Sequence, residues 1–532
     1  MFARLGSKKT LLMLLALAVW GVFLWRAINV FKPGVYSATF FNSDCAIPVL
    51  MSNDSGPITL YNLYYFGIDR IGGWPYLFAQ ALRRSMGFHW SPQRLSTFQT
   101  TWLFIGALVF GALSRRDAAV AVISFLLVLC LHSETRYQIF TLAVNYPWQI
   151  PAILFSWYGL RQIIEKTFAR ELVRWKHVLW LVFTFVFSYF AIWSSIESIP
   201  FLLFILCLEV FRQRMKLSYQ PPKALMKSFA QGLAPILLAS FAERLQKINY
   251  YRHSFKEFGV DFKTRFEPDL GNLGPNLKAQ VANLTRMEWW PFDVLTTLVI
   301  LAMICVAIYT LVRKRTDLLL SLKKTIADDT MILIIGAYGI AAINFVLTLL
   351  VTHVRLNVYE DRYLIPTTLF GPVSAILILF VMFRSSLQAI SVRRIAKPVF
   401  LCVSVALLWL IFPSRTYHAD YDSFQTTANV LAQQAPRAVL LGDYWGTYVV
   451  AAIQPANAIT PVPLHEYENR MPWTKDILAK ATQVLIEYRR SGLEIDGQPP
   501  SRVNAYGNSF RLIQPKVFEH GDFVFGWYAR EQ

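Results

Sequence analysis

Long apolar runs recur along this sequence, and they constrain its fold more than any other feature. A helix needs about 20 mostly apolar residues to cross the roughly 30 Å hydrocarbon core of a bilayer. The chain is 55% hydrophobic with a mean hydropathy of +0.39, and the runs predict a polytopic α-helical membrane protein with about eleven spans. The predicted spans are 10–27, 97–113, 118–132, 147–160, 177–193, 198–211, 224–242, 291–312, 330–352, 364–383 and 397–412.

Basic residues lie mainly in the connections on one side of these spans. That side includes the N-terminus, Arg115–Arg116 and the segments 161–176, 212–227 and 313–324. Cytoplasmic loops are enriched in Lys and Arg, so we expect a bacterial inner-membrane protein with its N-terminus in the cytoplasm and its C-terminus in the periplasm. Topology thus accounts for the net charge of +19. Membrane lipids are expected partners, and nucleic acid is not.

The spans divide the chain into a transmembrane module, residues 1–412, and a C-terminal exoplasmic segment, residues 413–532. Two further segments, 28–96 and 243–290, are predicted to lie outside. The first mixes polar and aromatic residues, as interfacial helices do.

Strand-like and helix-like patterns alternate in the C-terminal segment, which predicts a small α/β domain. A strand pattern at Ala438–Asp443 leads into an apolar stretch that ends at Ile453. A helix pattern covers Thr474–Arg490, and β-like runs follow at Phe510–Ile513 and Phe523–Phe525.

Asp44 is the most conspicuous polar residue of the first outer loop. Phe40–Phe41 precede it, and the apolar run Ile47–Met51 follows it. A carboxylate in an apolar setting beside the headgroups can act as a general base. Ser43 or Asp44 before an apolar run is also typical of a helix N-cap, so the pattern favours two interpretations.

Three other predicted outer connections carry charges. Glu134 and Arg136 follow the third span together with His132, which alone does not make a metal site. Glu197 lies between spans five and six, where an acid is costly unless it serves a site or caps a helix.

The connection before span ten contains Arg355, Arg362 and Tyr363. Arginine binds phosphate through a planar fork of donors and stays charged. The alternative is a local ion pair of Arg362 with Glu360 or Asp361.

Three segments together resemble the polytopic GT-C glycosyltransferases, and most closely the protein mannosyltransferase-like group that includes the lipid A aminoarabinose transferase. They are Asp44 with Pro48–Met51, the stretch Tyr65–Gly72, and the run Asp361-Arg362-Tyr363-Leu364-Ile365-Pro366 that enters a late span. The predicted topology is similar as well. That family usually has an Asp-Glu pair in the first loop, whereas Cys45 follows Asp44 here.

The resemblance implies inverting transfer of a sugar from a polyprenyl-phosphate donor to a lipid, glycan or protein acceptor. Asp44 would be the general base, and Glu134 an auxiliary acid. Substrate contacts would come from Arg362 and Tyr363, with further candidates in Asp69, Arg70, Arg136, Glu197 and Arg355. No cofactor is implied with certainty, and a divalent metal is left open because the second acid is missing.

Two other classes of function compete with this interpretation. A flippase or transporter for lipid-linked sugars would need polar residues in the middle of the membrane, for which Gln231 and Asn344 are the candidates. An O-antigen ligase or polymerase would also use outer-loop arginines.

Overall fold

The computed structural model describes residues 43–131, 145–169, 174–216, 222–258, 270–286, 328–356, 361–389 and 419–531, with isolated positions at 21, 142 and between 291 and 305. Short gaps in these ranges fall at 55, 57, 59, 66–67, 116, 455–458 and 467–473.

The predicted first outer loop contains two helices and a small hairpin. Helix α1 is Ser43–Asn53, and helix α2 is Trp74–Met86. Between them, strands β1 (Tyr64–Tyr65) and β2 (Ile68–Gly72) pair antiparallel. Helix α2 is followed by a C-cap at Gly87, whose φ of 71° favours glycine.

Every predicted span that lies within the described residues is a helix. These helices are α3 (Pro92–Ser114), α4 (Ala118–Leu131), α5 (Tyr146–Ala169), α6 (Arg174–Ser194), α7 (Ser198–Lys216), α8 (Pro222–Phe258), α10 (Asp329–Leu350) and α12 (Ile365–Ala389). Two helices lie between them and do not span: α9 (Leu273–Arg286) and α11 (Thr352–Leu356).

Five helices among the described residues are long and apolar enough to cross a membrane. Their apolar parts are Pro92–Ser114, Trp175–Ser194, Lys223–Arg252, Asp329–Leu350 and Arg362–Met382. The predicted spans 10–27 and 397–412, and nearly all of 291–312, lie outside the described residues, so the number eleven stays a prediction.

One apolar cluster joins helices α3 to α8 with α10 and α12. It is built from fully buried Phe, Leu, Ile and Trp side chains such as Phe110, Trp157 and Phe370. Gly336 of α10 packs so closely on Trp157 of α5 that an added Cβ would lie 2.1 Å from the indole ring. Small residues allow such close helix contacts inside a membrane, where helix association depends on packing.

A buried ion network joins four helices at one end of this bundle. Glu209 of α7 accepts hydrogen bonds from Arg161 of α5 (2.7 Å) and from Arg212 of α7 (2.6 Å). Arg212 also pairs with Asp329 at the start of α10, at 2.7 Å, and Arg161 donates to the carbonyl of Leu113 in α3. All three side chains at its centre are fully buried.

The network corrects part of the sequence interpretation. The sequence assigned Arg161 and Arg212 to polar connections, but both lie inside helices, since α5 continues to Ala169 and α7 to Lys216. The helices can continue through these charges because each guanidinium meets a carboxylate of a neighbouring helix.

The C-terminal region is an α/β unit, as the alternating patterns predict. Its sheet has six strands in the order β4-β3-β5-β8-β7-β6, with β4, β3 and β5 parallel and the remaining pairs antiparallel. The strands are β3 (Ala438–Gly442), β4 (Ile459–Pro463), β5 (Gln483–Glu487), β6 (Arg502–Ala505), β7 (Asn508–His520) and β8 (Phe523–Arg530). The helices are α13 (Ala419–Gln434), α14 (Tyr444–Ile453) and α15 (Thr474–Lys480).

The predicted helix Thr474–Arg490 is wrong in its second half. Helix α15 ends at Lys480, and the chain then forms β5 in the middle of the sheet, between β3 and β8. Val484, Leu485 and Ile486 are fully buried there. Burial on both faces of a sheet produces a continuous apolar run, which cannot be told from a helix segment by periodicity.

Helix α14 of the C-terminal unit packs directly on the predicted first outer loop. Tyr448 and Val449 of α14 share an apolar cluster with Cys45 and Ile47 of α1 and with Leu95 of α3. The C-terminal unit therefore covers α1, and the position of this helix at the headgroups stays a prediction. We refer to this end of the bundle as the tail-side end.

Glu209→Gln should destabilise the protein by about 3 kcal/mol, because it leaves two buried guanidinium groups facing a neutral amide. Thermal or denaturant unfolding of the full chain in detergent measures this loss. Arg115→Gln is the matched control: its pair with Glu165 is half exposed, so the loss should stay under about 1 kcal/mol. Equal losses for the two variants would contradict the importance of the buried network.

Candidate functional site

Asp44 lies where the C-terminal unit meets the membrane module. It occupies the first turn of α1, half-buried, and Cys45, Ala46 and Ile47 beside it are fully buried. The hydroxyl of Tyr444, the first residue of α14, donates a hydrogen bond to Asp44 Oδ1 at 2.8 Å. An acid in the first turn also interacts favourably with the helix dipole, so a helix-terminus role and a chemical role are both compatible with this position.

The end of α1 is held as firmly as its start. Asn53 accepts a hydrogen bond from the Trp90 backbone N–H at 2.9 Å and donates to the Trp90 carbonyl at 2.7 Å. The backbone of Gln454, at the end of α14, accepts a hydrogen bond from His89. These bonds tie α1, the α2–α3 connection and α14 into one unit around Asp44.

The start of α14 is anchored to the sheet of the C-terminal unit. Asp443 caps the helix, because its Oδ2 accepts from the Gly446 N–H at 2.9 Å. Arg490 Nε lies 3.5 Å from Asp443 Oδ1, and its guanidinium stacks over the ring of Phe523 at 4.9 Å. Tyr444 follows this cap directly, so its hydroxyl is presented to Asp44 from a rigid element.

Glu487 ends strand β5 beside this anchor. It is 2% exposed, and burial, with a smaller contribution from the charge of Asp443, raises the pKa of its carboxyl to about 7. The Arg490 and Ser491 N–H groups donate to it at 2.8 and 3.0 Å and oppose that rise. The carboxyl ends of β3 and β5 thus place two acids behind the helix that holds Tyr444.

A second polar cluster lies at the tail-side ends of α5, α6 and α12. The Tyr146 hydroxyl is hydrogen-bonded to Glu197, and Arg362 and Tyr363 are close enough to interact with it electrostatically. Arg362 Nη2 lies 3.4 Å from the Tyr363 hydroxyl, and the guanidinium lies 5.3 Å from the ring centroid. Glu197 and the adjacent residues Arg362 and Tyr363, which are far apart in sequence from Glu197, are therefore brought together around Tyr146.

The turn that carries Arg362 is fixed to the neighbouring helix. Residues Asp361–Leu364 form a 3₁₀ turn before α12. Asn344 of α10 donates to the Tyr363 carbonyl at 3.2 Å and accepts from the Thr367 hydroxyl at 2.8 Å. Asn344 thus orients the arginine-bearing turn.

Short connections link the Asp44 side of this end to the Arg362 side. Leu142 belongs to the apolar cluster of Cys45, and Tyr146, four residues later, contacts Glu197. The hairpin is seated on α6, because an added Cβ at Gly72 would lie 2.2 Å from the Trp193 carbonyl oxygen. Both groups of polar side chains therefore lie at the tail-side end.

The remaining predicted site residues are distributed as follows. Asp69 and Arg70 lie in β2, and Arg355 is half-buried in α11. Glu134 and Arg136 lie outside the described residues, as does Glu360 from the alternative ion pair.

Sequence reasoning missed Tyr444, Tyr146 and Glu487. The signal for Tyr444 was an Asp-Tyr pair after a strand, where an acid begins a helix.

The described residues contain no group of three His, Cys, Asp or Glu side chains that could hold a metal ion. Cys45, where the resembled family has an acid, is fully buried in the apolar cluster under α14.

No protein-family model matches the sequence, and no curated protein matches it significantly. Similar solved structures include three of an oligosaccharyltransferase from Archaeoglobus fulgidus. AglB with an inhibitory peptide and a dolichol-phosphate has a TM-score of 0.41 and 10% identity, covering 89% of this chain and 69% of that chain. The complex with Zn and sulfate has a TM-score of 0.45 and 11% identity, and the match covers 90% of this chain and 68% of that chain. The enzyme tethered to an acceptor peptide has a TM-score of 0.43 and 10% identity, and the match covers 89% of this chain and 69% of that chain.

Glu487 should make the C-terminal unit less stable as the pH rises. Its pKa of about 7 exceeds the ordinary 4.5, so between these values the folded state binds more protons than the unfolded state. The contribution of Glu487 to the free energy of unfolding is then complete below pH 4.5 and is lost by about pH 7. This loss of stability is at most about 3 kcal/mol.

Hydrogen-exchange protection of β5 in the full chain, corrected for intrinsic rates, measures this loss. Glu487→Gln should reduce the decrease in β5 protection between pH 5 and 7.5. Glu519→Gln should leave it in place, because the pKa of Glu519 is lowered by Lys516 and Arg489 rather than raised. An unchanged slope in Glu487→Gln would show that another group titrates.

Proposed function

We propose that the protein is a membrane glycosyltransferase that moves a sugar from a polyprenyl-phosphate donor to a lipid, glycan or protein hydroxyl at the tail-side end. This end would face the periplasm of a bacterial cell. Asp44 acts as the general base, and Arg362 binds the phosphate of the donor.

The observation that carries this proposal is the placement of Asp44. It is a half-buried carboxylate next to fully buried apolar residues, and a tyrosine 400 positions away in sequence holds it in one orientation. A general base works only when it is fixed within hydrogen-bonding distance of the proton that it removes. A carboxylate that merely began a helix would need no such distant partner.

The reaction needs two functions from the protein. Asp44 takes the proton of the acceptor hydroxyl while that oxygen attacks the anomeric carbon. The bond between this carbon and the phosphate oxygen breaks, and the polyprenyl phosphate leaves with the bonding electron pair. Attack opposite the leaving group inverts the anomeric configuration.

Arg362 is suited to the departing phosphate because its planar donors match phosphate oxygens and its charge is permanent. The turn that bears it is held by Asn344, and Tyr146, which interacts electrostatically with Arg362, is hydrogen-bonded to Glu197. Donors that are fixed before the reaction stabilise developing negative charge most effectively. Glu134 would be an auxiliary acid from the neighbouring connection.

The two polar residues that could line a flippase path are both hydrogen-bonded to neighbouring segments. Gln231 accepts a hydrogen bond from Thr167 at 2.6 Å, and Asn344 is bound to Tyr363 and Thr367. Both side chains therefore have a structural role between helices, and they do not single out a transport route.

Asp44→Asn should abolish transfer, with a loss of about 10²–10⁴-fold, because the amide keeps the shape but cannot accept a proton. The assay incubates purified protein with a panel of undecaprenyl-phosphate sugars and total membrane acceptors, and measures the released undecaprenyl phosphate. Asp54→Asn is the matched control, since Asp54 follows the same helix but bonds to Gly56 and Asn62. Full activity of Asp44→Asn would remove Asp44 as the base, and lipid movement without any transfer would favour the flippase.

Arg362→Lys should weaken donor use by about tenfold or more, because a single ammonium cannot reproduce the two parallel hydrogen bonds of the guanidinium. The apparent KM for the undecaprenyl-phosphate sugar should rise, while the melting temperature in detergent stays the same. Arg94→Lys is a control at the same end, where the Arg94 guanidinium donates to the His89 carbonyl and lies over the Phe88 ring. An unaltered KM would favour a purely local role for Arg362.

A further inference from the structure

We infer that Tyr444 is a positioning residue for Asp44, so that the C-terminal unit completes the candidate active site of the membrane module. This role rests on the proposed function of Asp44 as the base. It assigns the C-terminal unit a part in the reaction through one hydroxyl group.

The contact is specific in its geometry. The Tyr444 hydroxyl donates to Asp44 Oδ1 at 2.8 Å, a normal length for a hydrogen bond between a hydroxyl and a carboxylate. Tyr444 is 7% exposed, and its ring centroid lies 5.1 Å from that of Trp445 and 5.4 Å from that of Tyr448, both in edge-on contact. This packing leaves the ring little freedom to turn away from Asp44.

The backbone that carries Tyr444 is also fixed. Tyr444 is the first residue of α14, directly after the Asp443 cap, and Arg490 links that cap to the segment after β5. Val449 and Tyr448 further along α14 bury themselves against α1. The sheet, the helix and the first outer loop therefore form one continuous support for the Asp44 carboxylate.

A hydrogen bond to a carboxylate positions a general base. It fixes the rotamer of the side chain, which places the second oxygen relative to the acceptor hydroxyl. A bond that only stabilised the fold would leave the kcat of the folded protein unchanged.

Tyr444→Phe tests this role, because it removes only the hydroxyl. With the undecaprenyl-phosphate sugar that the wild-type protein consumes, kcat should fall about tenfold with little change in the donor KM. Exchange of the α1 backbone amides should also become faster.

Tyr528→Phe is the matched control. Its hydroxyl is likewise a donor inside the C-terminal unit, but to the Pro500 carbonyl at 2.9 Å, so kcat and the donor KM should stay as in the wild type. If Tyr444→Phe keeps the wild-type kcat, or loses kcat to the same extent as Tyr528→Phe, Tyr444 is not a positioning residue. If Asp44→Asn itself remains active, the proposed base is wrong, and this outcome is distinct from a failure of Tyr444 alone.

Discussion

The neutralisation of buried charge between helices determines how this bundle is assembled. Arg161, Glu209 and Arg212 are all fully buried, and an isolated charge at such depth would be prohibitively unfavourable. Each group is acceptable only because the others are present, so α5 and α7 must meet in one register, with α10 joined through Asp329. This register fixes the relative positions of the helices at one end of the bundle. Because the helices are rigid, it also constrains the positions of the polar groups at the tail-side end.

Much of the helical fold could be predicted, because apolar runs of spanning length have few alternatives in a membrane. Helix ends were harder, since charged residues such as Arg161 and Arg212 suggest loops unless their partners are known. The second half of Thr474–Arg490 failed for a related reason. Strand β5 is central in its sheet, and its buried residues Val484–Ile486 carry no alternation that would separate a strand from a helix.

The candidate site was predictable residue by residue but not as an arrangement. An acid before an apolar run identified Asp44, and an arginine before a late span identified Arg362. Which residues face them depends on tertiary contacts between distant segments, and no local pattern encodes these. Tyr146 and Tyr444 were therefore missed, although both are the first residues of helices, positions where a polar aromatic side chain can reach out of an apolar element.

The partnership of Asp44 with Tyr444 makes the site a product of the whole chain. Asp44 lies near the start of the described chain and Tyr444 near its end, so the hydrogen bond closes a loop of 400 residues. Closing such a loop has an entropic cost that a single hydrogen bond does not offset. The apolar surface shared by α1, α2, α3 and α14 must therefore supply the free energy of docking, which leaves the hydroxyl to set the orientation of the carboxylate.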